Sequence, residues 1–174
     1  MVGAITMRKV TREYDVYKFN ELPEDIKQKV IANNHDINTD YNWWESIYED
    51  ASHIGLKTTE FDLSYRQSIS TDPMDSCENI AKLIMKEHGI ECETYKIAEK
   101  YLTAFNSLRD NHPNDDDYDT ALEALDEQFI TEISRQYWLT LRQEYEYRTS
   151  DEAISDTLIA NECEFLANGT PFRG

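Results

Sequence analysis

The sequence predicts an α+β fold, a predominantly helical single domain of about five or six helices with a small sheet of about three strands. Three observations predict it. From Tyr118 to about Tyr147, apolar residues recur every three or four positions (Leu122, Leu125, Phe129, Ile133, Tyr137, Leu141, Tyr145), the period of one helix face. Leu56 to Leu63 alternates instead, with Leu56, Thr58 and Glu60 set against Lys57, Thr59, Phe61 and Leu63, the period of a strand. Hydrophobic residues make up 40% of the 174 positions and aromatics 11%, enough to build one core. Residues 1–10 read as a poorly ordered leader and residues 11–174 as the domain.

In chain order, Glu13 to Phe19 is rich in Tyr, Val and Phe and reads as a first strand. Leu22-Pro-Glu-Asp25 opens a helix that runs to about Asn33, because Pro is tolerated in a first turn and acids favour its positive end. Asp40 is placed to cap an aromatic helix over residues 40–51, with Trp44, Ile47, Tyr48 and Ala51 on its inner stripe, and Gly55 ends it. The second strand follows over 56–63. Asp72-Pro73 marks the next helix, with Asp75 in a capping-box-like turn and Ile80, Leu83 and Ile84 on one face, up to His88-Gly89. A further helix covers Thr94 to about Arg109. After the long helix, Thr149-Ser-Asp-Glu152 reads as a capping box for a last helix. Cys163 to Leu166 is a short strand and Asn168-Gly169 a turn. The expected sheet joins the N-terminal strand, strand 56–63 and the C-terminal strand. Trp44, Ile47, Leu125, Phe129 and Ile133 are expected to be mostly buried.

The chain carries 35 acids against 17 bases, a net charge of −18. That disfavours direct binding to nucleic acid or an anionic membrane, where the phosphate interaction would be repulsive, and favours basic partners. The excess is uneven: residues 110–174 hold 16 acids and 4 bases, and no Lys or Arg falls between Asp110 and Glu127. Cys77, Cys92 and Cys163 show no paired spacing, as in a reducing cytoplasm. No stretch approaches the roughly 20 apolar residues of a membrane span.

Phe19 to Val30, Asp40 to Ala51 and Ile54-Gly-Leu-Lys57 carry a further signal. They resemble a group of small acidic proteins of bacteriophages and other mobile elements, which share a strand, an EL-x-E-x-x-K-x-K helix and a YxWW-x-x-x-YEDA segment. The likeness returns in Glu144 to Ile154 and Ala160 to Phe165, so that it spans some two thirds of the chain. Ser64 to Thr71 departs from the group, which continues with a Gly- and Cys-containing strand. The resemblance implies a mobile-element origin, and some members of the group carry an antitoxin label; it supplies no catalytic residue.

Among constellations that could carry chemistry, Asp115-Asp-Asp-Tyr-Asp119 comes first. Asp115, Asp117 and Asp119 match the first, third and fifth ligands of a calcium loop and Asp126 the twelfth, but Thr120 stands where the loop needs Gly. The competing reading is a set of acids at a helix N-terminus, each stabilising the dipole by about 0.3–1 kcal/mol. His35, His53, His88 and His112 share no i, i+4 pairing, and Gly89 interrupts His88 and Cys92, so no metal set is expected. Cys77 sits at a helix start that could lower its pKa, against the alternative of a buried structural thiol. No glycine-rich phosphate loop is present.

These features favour a non-enzymatic acidic inhibitor from a phage or mobile element. It would act in the bacterial host cytoplasm as a DNA mimic, binding a basic, nucleic-acid-binding host protein such as a restriction or CRISPR effector by presenting carboxylates where phosphates would lie. No direct nucleic-acid or membrane binding, no catalytic residue, no metal and no cofactor is expected, and nothing in the sequence bears on the oligomeric state. The expected partner-binding residues are Asp115, Asp116, Asp117, Asp119, Glu123, Asp126 and Glu127, on the outer side of the long helix, together with Trp43 and Tyr147, which lie off the apolar stripes. The alternatives are an antitoxin-like protein that neutralises a toxin by direct binding and a small metal-dependent enzyme.

Overall fold

The computed structural model describes residues 7, 10–111 and 116–173, without the side chain of Asp116. Among them the chain forms six α-helices and four strands, an α+β and mainly helical fold. In order these are β1 (Val16–Lys18), α1 (Glu24–Asn33), α2 (Glu45–His53), β2 (Leu56–Asp62), β3 (Ser68–Pro73), α3 (Cys77–Glu87), α4 (Glu93–Asn111), α5 (Asp116–Arg148), α6 (Asp151–Ala160) and β4 (Glu164–Leu166). The expected three-stranded sheet is replaced by two separate antiparallel pairs, β1 with β4 and β2 with β3. Strand 56–63 pairs with a strand that the sequence pattern hides, not with the chain ends. No helix among the described residues is long and apolar enough to cross a membrane.

The chain divides into two compact units. The first comprises residues 1–40 and 148–174. Its ladder sets Val16 against Leu166, Tyr17 against Phe165 and Lys18 against Glu164. Phe19, Leu22, Val30, Ile31, Ile154, Leu158 and Phe165 form its core. Pro23 sits just ahead of α1 and its carbonyl accepts from Ile26 and Lys27 at 3.0 and 2.9 Å. The expected box at Thr149 is shifted by one residue: Ser150 is the cap of α6 and accepts from the Ala153 amide at 3.3 Å. Asn38 stitches this unit together, donating to the Arg148 carbonyl at 3.0 Å and accepting from Thr157 at 2.7 Å.

The second unit is residues 41–147, with α2 to α5 and the β2–β3 hairpin. Ala51, Ile54, Leu56, Ile80, Ile84, Ala98, Tyr101, Phe129, Ile133 and Tyr137 belong to its core. Gly55 ends α2 at φ +88°, and a Cβ there would stand 3.2 Å from Ile80, so both backbone and packing require glycine. Leu56 pairs with Pro73 and Phe61 with Ile69, with a bulge between Thr58 and Glu60. Asp72-Pro73 therefore ends a strand and does not start a helix. The cap of α3 is Ser76, which accepts from the Asn79 amide at 3.3 Å, while Asp75 braces it by accepting from Ser76 and Asn79. Asp40 caps nothing: α2 begins at Glu45, with Trp44 at the capping position and no side-chain cap.

Candidate functional site

The first half of α5 carries the acidic face. Leu122 and Leu125 are half-buried against the core, and Phe129 and Ile133 are buried, which turns the opposite side of the helix to solvent. Asp117, Asp119, Glu123 and Glu127 are exposed there. Asp119, Glu123 and Glu127 follow one another at four-residue intervals, so successive carboxylates rise by about 6 Å along the axis. Asp116 lies in the helix, its side chain undescribed, and Asp115 lies outside the described residues, as does the start of the calcium-loop pattern. The face closes at Glu132, which Lys100 of α4 neutralises at 2.8 Å; the ion pair and the Gln128 amide lower the pKa of that carboxyl.

Asp126 departs from the expectation. It points toward α4, half-buried, and accepts the Tyr101 hydroxyl proton at 2.6 Å. Burial and this bond push the ionisation of Tyr101 far upward. Cys77 faces the same carboxylate, and burial followed by Asp126 raises its thiol to about 12. The helix start does not activate this thiol: Cys77 is a structural residue in a reduced, protonated state.

Of the two adjacent tryptophans, Trp43, expected at the surface, is the buried one, at 6% exposure, and Trp44, expected to be mostly buried, is covered only in part. The reason is the late start of α2: residues 40–44 lie ahead of the helix, so a helical wheel drawn from Asp40 is out of register there. Trp43 packs among Trp44, Phe61 and Tyr145 with ring centroids 5.7 to 5.9 Å apart. Tyr147 is exposed, as its position off the apolar stripe predicts. Ile47 and Leu125, expected to be mostly buried, are half-buried.

Beside this cluster the β2–β3 hairpin opens a cleft of ≈ 850 Å³ that sequence reasoning missed. Its wall is held by Asp62, whose carboxylate accepts from the amides of Ser64, Tyr65 and Arg66 at 2.7, 3.0 and 3.3 Å and whose carbonyl accepts from Trp138 at 2.9 Å. The Ser64 amide, first among these bonds, lowers the pKa of Asp62. An Asp two residues ahead of Ser is a turn signal that the sequence did offer. On another side of the unit, His88 bonds Thr94 at 2.7 Å through Nδ1, and Tyr137 donates to Asp50 at 2.6 Å. Among the described residues, no three His, Cys, Asp or Glu side chains stand together as a metal would need.

No family model, curated protein or solved structure matches the chain. The likeness of its opening segments to acidic mobile-element proteins therefore rests on those residues alone.

Proposed function

We propose that the protein is a non-enzymatic acidic inhibitor of phage or mobile-element origin. It occupies the nucleic-acid site of a basic host protein, a restriction or CRISPR effector being the natural kind of target, inside the bacterial cell. The observation that supports this reading most is the exposed row of Asp119, Glu123 and Glu127 on α5, with no Lys or Arg in the sequence between Arg109 and Arg135. Duplex DNA carries one charge per about 1.7 Å of axis, and a surface evolved to neutralise it also attracts a dense row of carboxylates. Like charges one turn apart repel, so the row weakens the free helix slightly and gains when a cationic surface covers it. The experiment is capture from host lysate on the immobilised protein, eluted with a salt gradient. A retained nucleic-acid-binding protein released by rising salt and by added DNA supports the reading. Capture that neither salt nor DNA reverses contradicts it.

A further inference from the structure

The cleft beside the hairpin lies apart from the acidic face, and its chemistry differs. We infer that it binds a nucleoside phosphate, the base against the rings of Trp44, Phe61 and Tyr145 and the phosphate on Arg66. All four residues line the cleft. The three rings are half-buried, so each keeps surface open, and Trp44 meets Phe61 edge to face at 5.6 Å, an arrangement that holds both in place. Nucleobases stack on such rings whatever their identity, because every base has a π-face. The volume falls within the range of small-ligand sites, about 300–1,000 Å³.

Inside the cleft the charges lie close to balance, with Arg66 and Arg142 against three carboxylates, despite the net charge of the chain. Two of its three carboxylates are already engaged: Asp62 by three backbone amides, and Glu146 by Arg142 at 2.7 Å. Glu60 is left to accept from a base amino group or a ribose hydroxyl. Arg66 is exposed and makes no ion pair among the described residues, in a chain where acids outnumber bases 35 to 17. Its charge reaches Asp62, whose carboxylate is already held by three backbone amides, so the planar guanidinium fork stays open to an external phosphate. The Asp62 turn fixes the backbone of Arg66 before any ligand arrives, so little order remains to be imposed on binding. A long nucleic acid would run out over the acidic surface and be repelled, whereas one nucleotide stays within the cleft, and charges beyond about 8 Å are screened at physiological salt.

The test is a titration with AMP, GMP, CMP and UMP, with the four matching nucleosides and with inorganic phosphate, read by tryptophan fluorescence and thermal shift. At least one monophosphate is expected to quench saturably below about 1 mM. Its nucleoside should bind about tenfold more weakly, and phosphate alone should not quench. Arg66→Gln, at an exposed position, should bring the monophosphate down to the affinity of its nucleoside, and Trp44→Leu should weaken both. Asp119→Lys with Glu123→Lys should change neither, which separates this site from the acidic face. Absence of saturable binding by all four monophosphates, equal binding of nucleoside and monophosphate, or unchanged binding by Arg66→Gln would overturn the inference.

Discussion

The two halves of α5 share one helical period and live under different rules. From Phe129 onward, Phe129, Ile133, Tyr137, Trp138 and Leu141 are buried at 4% exposure or less. Before Phe129, the inner residues Leu122 and Leu125 are only half-buried, and the outer face carries carboxylates in water. The second half is held by packing and contributes stability. The first half is covered less deeply, in part by α4, and turns its outer carboxylates to solvent. Periodicity alone does not separate the two; the depth of burial on the inner stripe and the sign of the outer face do.

The comparison breaks if the two halves respond alike to truncation. Leu141→Ala, at 0% exposure, is expected to cost about 2–5 kcal/mol in urea unfolding. Leu125→Ala should cost about 1 kcal/mol, since half a leucine's burial is at stake. Equal losses would show that the acidic half is packed as tightly as the other.

Among the described side chains of the first half, Asp126 is the one carboxylate that faces inward, and it sharpens the contrast. Tyr101→Phe removes its hydrogen bond and should cost about 1–2 kcal/mol, measured the same way. The same cluster has an alkaline signature. The Cys77 thiol, raised to about 12, stays protonated in the fold at pH values where the unfolded chain loses that proton, from near 9.0. Between those limits the unfolded state binds fewer protons, so stability falls as pH rises. The contribution is complete below about pH 9 and is lost by about pH 12. Urea midpoints across this window should fall more steeply for the parent than for Cys77→Ala; parallel slopes would count against the buried thiol.

Much of this contrast was legible in the sequence, and the parts that were not share a cause. The recurrence from Leu122 to Tyr145 marked α5, and Gly55 and Asn168-Gly169 marked their turns, because each signal is local. Strand β3 was hidden. Ser68 to Thr71 is short and mostly polar, and its strand conformation comes from pairing with β2 across the Asp62 turn. The single expected sheet failed likewise, since a strand pattern does not say which strand it joins. Trp43 is buried more deeply than Trp44 because residues 40–44 precede α2, where a helical wheel does not apply. Asp126 was placed outward because the wheel of α5 does not show where Tyr101 of α4 will stand.

A smaller effect probes the repulsion itself. Glu123→Gln with Glu127→Gln removes two like-charge pairs a turn apart, Asp119 with Glu123 and Glu123 with Glu127, and should raise stability by about 0.4–1 kcal/mol at low salt, vanishing in high salt. A loss of stability would mean that these carboxylates are engaged in the fold.

The most direct measurement of the central claim, that the outer face of the first half of α5 is a recognition surface, is a nucleic-acid competition assay. A basic host protein captured on the immobilised chain is offered labelled DNA in the presence of the parent, of Asp119→Lys with Glu123→Lys and Glu127→Lys, or of Leu125→Ala. The account predicts that the parent displaces DNA with strong salt dependence, that Leu125→Ala retains this, and that the triple reversal loses it while keeping its helical circular dichroism. A triple-reversed protein that displaces DNA as well as the parent would make the row of carboxylates a solvated face and nothing more.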